Sequence, residues 1–141
     1  KGIPGKNIKP LNGQPLIGYS IAVAKEFQSV FEGTDIMLST DSEEIIRVAG
    51  VCGLKSDYKR PEYLANDTVG KIDAIKDLVL YSESKQGQTY DYILDLDVTS
   101  PLRNLQDLKI AFDILRSDEN AINLFSVSEA GRSPYFNIMP K

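Results

Sequence analysis

Two aspartates within one apolar segment are the first side chains in this sequence that could carry chemistry. Asp95 and Asp97 stand two positions apart in the run 90–98, so a strand there would present both carboxylates on one face. Carboxylates near the C-terminal end of a parallel strand are unusual, because such strands are mostly apolar on both faces. A buried carboxylate is costly unless it is paired or binds a metal. The pair therefore indicates a contact to magnesium or to sugar hydroxyls, with a loop cap or an ion pair to a lysine as the alternatives.

The polar turn that follows, residues 99–103, extends this candidate site. It has the sequence Thr-Ser-Pro-Leu-Arg and precedes the next predicted helix. Ligands of parallel sheets sit beyond the carboxyl ends of the strands. We therefore expect the hydroxyls and backbone amides of this turn to face a ligand.

The first seven residues, Lys-Gly-Ile-Pro-Gly-Lys-Asn, form a second candidate segment. Glycines let backbone N–H groups approach a ligand closely, and Lys1 and Lys6 would offset phosphate charge. The spacing matches neither a P-loop nor the dinucleotide-binding fingerprint. By spacing alone a solvated turn is the commoner outcome, and phosphate binding is the alternative.

A third candidate is the polar loop 60–68, which has no apolar periodicity. Loops of this length in compact domains are often functional. Arg60, at the start of the loop, could hold a base, a ribose or a phosphate. The alternative is a surface salt bridge to Glu62 or Asp57.

The composition removes several classes of chemistry. The 141 residues include no histidine and one cysteine, Cys52, which excludes Ser-His and Cys-His pairs, internal disulfides and an ordinary zinc site. We interpret Cys52 as a small buried residue near a helix end. A formal net charge of -4 with scattered lysines argues against a nucleic-acid polymer as the ligand. No apolar run approaches the roughly 20 residues that span a bilayer, so we expect a cytoplasmic protein without membrane contact.

The elements that must position these segments alternate between helix and strand. That order predicts an α/β fold with parallel strands and helical crossovers on both faces. Apolar spacing and punctuating residues predict a loop at 1–13, helices at 15–27, 72–82 and 104–116, a further helix from a cap at Asp41 or Ser42 to Gly50, strands at 36–40, 90–98 and 121–127, and an extended piece at 134–139. We interpret residues 1–141 as one partial domain without an internal boundary.

Four of these segments together resemble the acylneuraminate (CMP-sialic acid) cytidylyltransferases, in the order that the family shows. They are the end of the signature loop with its helix at 1–17, a strand-to-helix turn at 38–45, a base-binding loop at 60–68 and the turn at 99–103. The resemblance implies a Rossmann-like nucleotidyltransferase fold, a three-layer sandwich with a mostly parallel sheet, truncated here at both ends. The first strand and the C-terminal part with the dimerisation element would lie outside residues 1–141.

The same resemblance implies an activity. CTP and an acidic nonulosonate sugar would give the CMP-sugar and pyrophosphate, with Mg2+ as the cofactor, for cell-surface polysaccharide biosynthesis. N-acetylneuraminate and legionaminate are the expected kinds of sugar, and the full-length protein would be a homodimer. The alternatives are a nucleotidyltransferase for ketodeoxyoctonate or a sugar 1-phosphate, and a non-catalytic nucleotide-binding module.

Site roles also follow from the resemblance, residue by residue. The nucleotide would be contacted by Lys1, Lys6, Asn7, Arg60, Val69 and Lys71. The sugar would be contacted by Asp97, Thr99, Ser100, Arg103, Tyr135 and Asn137. Lys6, which would stabilise charge on the phosphate oxygens, and Asp97, which would orient the sugar hydroxyl or the metal, are the catalytic candidates.

Three departures from the family pattern bear on these roles. The arginine- and serine-bearing front half of the signature loop would precede Lys1, and the family's metal-binding aspartate pair would follow Lys141. Asp97 stands where many sialate-activating members have glutamine, which favours a related sugar such as legionaminate or pseudaminate. Residues 132–137 differ from the histidine-rich stretch of typical sialate enzymes.

Overall fold

The computed structural model describes residues 3–66 and 69–127, an α/β chain with four α-helices and one two-stranded antiparallel sheet in this described part. The helices are α1 (Leu16–Val30), α2 (Glu43–Val51), α3 (Lys71–Gln86) and α4 (Leu105–Ser117). The strands are β1 (Pro10–Leu11) and β2 (Gln14–Pro15). Short 3-10 turns cover Lys6–Ile8 and Glu62–Leu64. The chain divides into two units between Leu105 and Gln106.

A hairpin forms where the sequence analysis predicted only a loop. Asn12 and Gly13 have φ angles of 49° and 81°, the left-handed backbone that a two-residue turn between antiparallel strands requires. Leu11 pairs with Gln14 across this turn. The prediction of a loop through residue 13 is therefore wrong, although Asn-Gly is a strong hairpin signal. The hairpin also delays the start of helix α1 to Leu16.

Helices α1 and α2 build the main core of the first unit. Ile17 and Ile21, one turn apart on α1, pack with Ala49 of α2, and their exposed fractions are 2%, 4% and 0%. Partly buried residues surround this core, among them Ile8 and Val98. The loop that carries Lys6 and the segment that carries Asp97 are therefore anchored on the same core.

Local signals predicted the start of α2 and the environment of the cysteine. Ser42 caps α2, since its Oγ accepts a hydrogen bond from the Ile45 N–H at 3.4 Å. Cys52 directly follows α2 and is half-buried against the core. The cap at Ser42 and the position of Cys52 at a helix end are confirmed, whereas the burial expected of Cys52 is only partial.

Helix α3 buries a narrower face than its apolar pattern predicts. Ala74 and Ser82 are buried, whereas Ile72, which the helical spacing of apolar residues in this segment would turn inward, is 73% exposed. The helix also extends to Gln86, beyond the predicted end. Gly87, with a φ of 68°, supplies the left-handed residue that stops it.

The predicted strands 36–40, 90–98 and 121–127 form no ladder among the described residues. A strand exists only where a neighbouring segment satisfies its N–H and C=O groups, and residue composition does not provide that partner. Within the described ranges, these three segments make one backbone–backbone hydrogen bond to a distant segment, from the Arg60 N–H to the Thr40 C=O at 2.9 Å. These three strand predictions are wrong for the described residues, whose only sheet is the antiparallel hairpin.

In the second unit, α4 shows the burial pattern that its spacing predicts. Leu108 is 6% exposed, positions 111, 112 and 115 are partly buried, and positions 113 and 114 are exposed. The Arg116 guanidinium carbon lies 5.3 Å from the centre of the Phe112 ring, a cation–π contact. The extended piece predicted at 134–139 lies outside the described residues. None of the helices in the described ranges is long and apolar enough to cross a membrane.

Candidate active site

The acidic pair and the first residue of α3 form a charged cluster. Lys71 Nζ lies 2.5 Å from Asp95 Oδ2 and 3.9 Å from Asp97 Oδ2. One ammonium reaches both carboxylates because the two side chains lie on the same side of the segment, as alternation along it predicts. The ion pair to a lysine, the alternative considered for Asp95, is observed. The three side chains remain 43–58% exposed, so a ligand can still reach them.

Asp97 also organises the turn that follows it. Its Oδ1 accepts hydrogen bonds from the Thr99 N–H at 2.8 Å and the Thr99 hydroxyl at 2.7 Å. Its backbone C=O accepts one from the Ser100 N–H at 3.2 Å. An aspartate that binds the backbone two residues ahead is typical of a tight polar turn. Because Oδ1 is occupied in this way, Oδ2 is the oxygen that faces Lys71.

The surroundings of Asp97 keep its carboxyl group ionised. The hydroxyl and the N–H of Thr99 lower the pKa of Asp97 below its ordinary value of 3.8, while partial burial opposes that shift. The positive charges of Lys71 and Lys6 lower this pKa further. The neighbours of Lys6 and Asp97, Ile8 and Val98, pack against the same core, which is consistent with this influence of Lys6 on the carboxyl group.

The first loop presents Lys6 and Asn7 from a single 3-10 turn. Gly5, which precedes it, has a φ of 62°, a conformation that glycine adopts readily. Lys6 is exposed and forms no ion pair with any described residue. Asn7 Oδ1 is buried and has no hydrogen-bond partner in the described ranges. Because an unpaired buried acceptor is costly, Asn7 is suited to accept a bond from a ligand.

Arg103 closes the turn from its far end. Its Nε donates to the Ser100 C=O at 2.9 Å, and its Nη2 donates to the Asp97 C=O. The guanidinium thereby fixes the backbone of the turn, using two of its five donors. The Ser100 hydroxyl is exposed and makes no hydrogen bond with the described residues, so it is available to a ligand.

Arg60 is held against the end of the segment 36–40. Its Nε donates to Ser39 Oγ at 3.0 Å, and its Nη2 donates to the Ser39 C=O at 2.7 Å. Its own N–H donates to the Thr40 C=O at 2.9 Å. Three bonds to adjacent residues fix both the backbone and the guanidinium of Arg60.

Sequence reasoning missed the residues that hold this loop. Asp57 pairs with Lys85, and among the described residues neither Asp57 nor Glu62 forms an ion pair with Arg60. The salt-bridge alternative considered for Arg60 is therefore wrong. The one available signal for Ser39 is its place in the stretch 38–45, which resembles the family.

Tyr58 is buried near Arg60. The side chain is 6% exposed, and its hydroxyl donates to Asp77 Oδ2 at 2.6 Å. Burial first, and the Asp77 carboxylate second, raise the pKa of Tyr58 from 10.0 to about 12. The hydroxyl therefore remains a hydrogen-bond donor across the physiological pH range.

Val69 links the 60–68 loop to the start of α3. Its N–H donates to Asn66 Oδ1 at 3.0 Å, and Asn66 Nδ2 donates to the Tyr63 C=O at 2.9 Å. These bonds fix the backbone of Val69, which precedes Lys71 by two residues in the sequence. Three predicted site residues lie outside the described ranges: Lys1, Tyr135 and Asn137.

The carboxylates of Asp95 and Asp97 are hard oxygen donors of the kind that magnesium prefers. Among residues 3–66 and 69–127, no three carboxylate, histidine or cysteine side chains form a group that could hold a metal ion. Magnesium commonly binds through one or two carboxylates together with substrate phosphates. The pair therefore fits an ion shared with a phosphorylated substrate.

Comparison with known proteins assigns the chain to a family. A family model described as cytidylyltransferase matches residues 1–134, which include the first loop, the Arg60 loop and the charged cluster. The chain belongs to the cytidylyltransferase family, as its four motifs predicted.

Individual relatives agree with this assignment. The chain is 39% identical over 139 residues to the post-translational flagellin modification protein B of Campylobacter coli, covering 99% of the chain and 57% of the relative. It is 37% identical over 139 residues to the CMP-N,N'-diacetyllegionaminic acid synthase of Campylobacter jejuni, with the same coverage of 99% and 57%. It is 34% identical over 134 residues to an N-acylneuraminate cytidylyltransferase of Streptococcus agalactiae, covering 95% and 30%. The resemblance to the acylneuraminate cytidylyltransferases is confirmed, and the chain spans about half the length of the first two relatives.

Proposed function

We propose that this chain is the nucleotide-binding part of a cytidylyltransferase that joins CTP to an acidic nonulosonate and releases pyrophosphate. The observation that carries the proposal is the cluster of Lys71 with Asp95 and Asp97, in a member of the cytidylyltransferase family whose Lys6 loop packs on the same core as the Asp97 turn. An exposed ammonium, an ionised carboxylate and unpaired polar groups are what a triphosphate and a polyhydroxylated sugar require.

In the proposed reaction, the anomeric hydroxyl oxygen of the sugar forms a bond to the α-phosphorus of CTP. The bond from that phosphorus to the pyrophosphate oxygen breaks, and the hydroxyl proton passes to solvent. Such a transfer depends on positioning and charge stabilisation rather than on a covalent enzyme intermediate.

The described residues can divide this work between phosphate and sugar. Lys6 offsets the charge that builds on the phosphate oxygens. Asp97 Oδ2 accepts a hydrogen bond from the sugar hydroxyl, because Oδ1 is occupied by Thr99. Asn7 and Arg60 bind the nucleotide, and Val69 and Lys71 lie along its base and ribose. Thr99, Ser100 and Arg103 complete the sugar side. Lys1 for the nucleotide, and Tyr135 and Asn137 for the sugar, are proposed from the resemblance alone, because they lie outside the described ranges.

Magnesium is part of the proposal. Asp97 with Asp95 would hold the ion jointly with the triphosphate, and the bound ion would supply further positive charge for the phosphate oxygens. Lys71, which pairs with Asp95, keeps the two carboxylates from repelling each other when no cation is present.

The sugar is proposed to be a nonulosonate related to legionaminate. One relative carries N,N'-diacetyllegionaminic acid in its name, at 37% identity. Asp97, where many sialate-activating members have glutamine, supports the same choice. A carboxylate at this position accepts hydrogen bonds only, whereas a glutamine amide also donates them.

The same family membership supports the proposed architecture and setting. We propose a Rossmann-like, three-layer domain with a mostly parallel sheet, of which residues 1–141 form part, in a homodimeric full-length protein. A cytoplasmic location is proposed because CTP is supplied there.

Pyrophosphate release by the full-length protein tests the proposal. The nucleotides are CTP, UTP and GTP, and the acceptors are N-acetylneuraminate, legionaminate, pseudaminate and ketodeoxyoctonate. We expect release with CTP and a nonulosonate, fastest with legionaminate. Release confined to ketodeoxyoctonate, or faster with UTP or GTP, would overturn the substrate assignment. Thermal stabilisation by CTP without release would indicate a non-catalytic module instead.

A further inference from the structure

Asp77 of α3 bonds to residues on both sides of Arg60, one just before the 60–68 loop and one within it. Tyr58, two residues before Arg60, donates its hydroxyl proton to Asp77 Oδ2 at 2.6 Å. Tyr63, three residues after Arg60, donates to Asp77 Oδ1 at 3.5 Å. Each oxygen of one carboxylate therefore holds one tyrosine, and Arg60 lies between the two points of attachment.

The two attachments differ in strength. Tyr58 is 6% exposed and its ring centre lies 5.1 Å from that of Tyr81, also on α3, so packing supports its short hydrogen bond. Tyr63 is 66% exposed and its bond is at the long limit of hydrogen-bond distances. Tyr58 is consequently the main link between the loop and the helix.

Helix α3 connects this link to the charged cluster. Lys71, its first residue, pairs with Asp95 at 2.5 Å. Asp77 lies six residues further along the helix, roughly 9 Å along its axis at 1.5 Å per residue. A continuous helix thus sets the distance between the Arg60 loop and the acidic pair.

We infer that Asp77 is a positioning residue for nucleotide binding, because through Tyr58 and Tyr63 it fixes the loop of Arg60 to the helix of Lys71. The inference rests on the proposed function, in which Arg60 binds the cytidine nucleotide. Ser39 orients the guanidinium, and Asp77 holds the flanking residues through the hydroxyls of Tyr58 and Tyr63.

The first test compares two variants with matched controls in the full-length protein. Asp77→Asn removes the carboxylate charge, and Tyr58→Phe removes only the hydroxyl. Asp35→Asn, which removes the charge of a carboxylate that accepts the Tyr90 hydroxyl bond, is the control for the first. Tyr90→Phe loses an equivalent tyrosine–aspartate bond, to Asp35 at 2.7 Å, and is the control for the second.

The expected result is a selective loss of nucleotide affinity. Losing one hydrogen bond that orders the loop should raise the Kd for CTP, measured by calorimetry, and the KM for CTP roughly fivefold. The kcat at saturating CTP and the KM for the sugar should not change, and both controls should match the wild type. Because Tyr58→Phe keeps the buried ring, it remains informative if Asp77→Asn does not fold.

A double-mutant cycle with Arg60→Gln shows whether Asp77 acts through Arg60. If it does, Asp77→Asn or Tyr58→Phe should have little further effect on the Kd for CTP once Arg60→Gln is present. Additive effects would overturn the inference, as would variants that bind CTP like their controls. A wild-type protein that binds UTP or GTP more tightly than CTP would instead overturn the proposed function, and the inference with it.

Discussion

The charged cluster around Asp97 and the loop that carries Arg60 are held by different kinds of interaction. In the cluster, ion pairs join side chains that are 43–58% exposed. In the loop, Arg60 binds a hydroxyl and backbone carbonyls beside the buried Tyr58. Exposed ion pairs contribute only about 0–1 kcal/mol, so a ligand can replace them at little cost. The cluster is therefore suited to exchange partners, and the loop is suited to hold a geometry.

The largest expected effect comes from Lys6 of the first loop, which forms no ion pair with the described residues. Lys6→Ala should lower kcat/KM about 100-fold, because one preorganised group that stabilises developing charge commonly contributes that much. Lys9→Ala, which removes a nearby exposed lysine, should leave kcat/KM close to that of the wild type. Steady-state pyrophosphate release in the full-length protein measures both. Equal losses in the two variants would mean that the loop provides only general positive charge.

Asp97→Asn tests one of the two carboxylates of the charged cluster. The amide oxygen can still accept the Thr99 bonds, so the turn should remain intact while the charge is lost. We expect turnover to fall about tenfold with little change in thermal stability. Asp91→Asn, on an exposed position of the same segment, is the control. Full turnover in Asp97→Asn would remove this residue from the chemistry.

The bond from Tyr58 to Asp77 should make the free energy of unfolding depend on pH at high pH. The pKa of Tyr58 is about 12 in the folded state and 10.0 ordinarily, so the folded state binds this proton more tightly. Its contribution to the free energy of unfolding is therefore complete below pH 10 and is lost as the pH rises through 12. Urea unfolding at pH 9 and 11.5 should show the difference between wild type and Tyr58→Phe shrinking by roughly 2 kcal/mol. If the difference in unfolding free energy between wild type and Tyr58→Phe is the same at both pH values, the raised pKa of the buried Tyr58 hydroxyl is wrong.

The smallest effect is expected in acid, at the turn. Thr99 lowers the pKa of Asp97, so this carboxyl contributes stability above pH 3.8 that is lost as the pH falls through the lowered pKa. Thr99→Val removes the hydroxyl and keeps the backbone bond. Its Asp97 carboxyl, followed by NMR titration, should have a higher pKa than in the wild type. Below pH 3.8 the wild type should correspondingly lose more stability than Thr99→Val. If the pKa of Asp97 is the same in both proteins, the bond from the Thr99 hydroxyl to Asp97 does not lower it.

Local periodicity and capping predicted much of this molecule. The spacing of Ile17 and Ile21, the Ser42 cap and the shared face of Asp95 and Asp97 depend on neighbouring residues alone, and the structure confirms them. The four motifs of the resemblance also predicted the family, which the match over residues 1–134 confirms.

Contacts between distant segments were the part that the sequence could not predict. Arg60 binds Ser39, 21 residues away, and Tyr58 binds Asp77, 19 residues away. Nothing in the residue types prefers these partners to Asp57 or Glu62, because any carboxylate or hydroxyl could accept the same bond. The strand predictions failed for the same reason, since a ladder needs a partner segment that local composition does not specify.

The Asn-Gly hairpin has a consequence for how strongly the first loop can bind. The Leu16 N–H donates to the Lys9 C=O at 3.0 Å, and the Tyr19 hydroxyl donates to the Leu11 C=O at 2.6 Å, so α1 holds the first strand of the hairpin at both of its ends. Ordering a free backbone residue costs about 1–2 kcal/mol of conformational entropy. Residues that folding has already ordered do not incur that cost again when a ligand arrives. The C-terminal end of the Lys6 loop is therefore already ordered before a phosphate binds. Less of the favourable contact free energy is then offset by conformational entropy, so the affinity is higher than for a disordered loop.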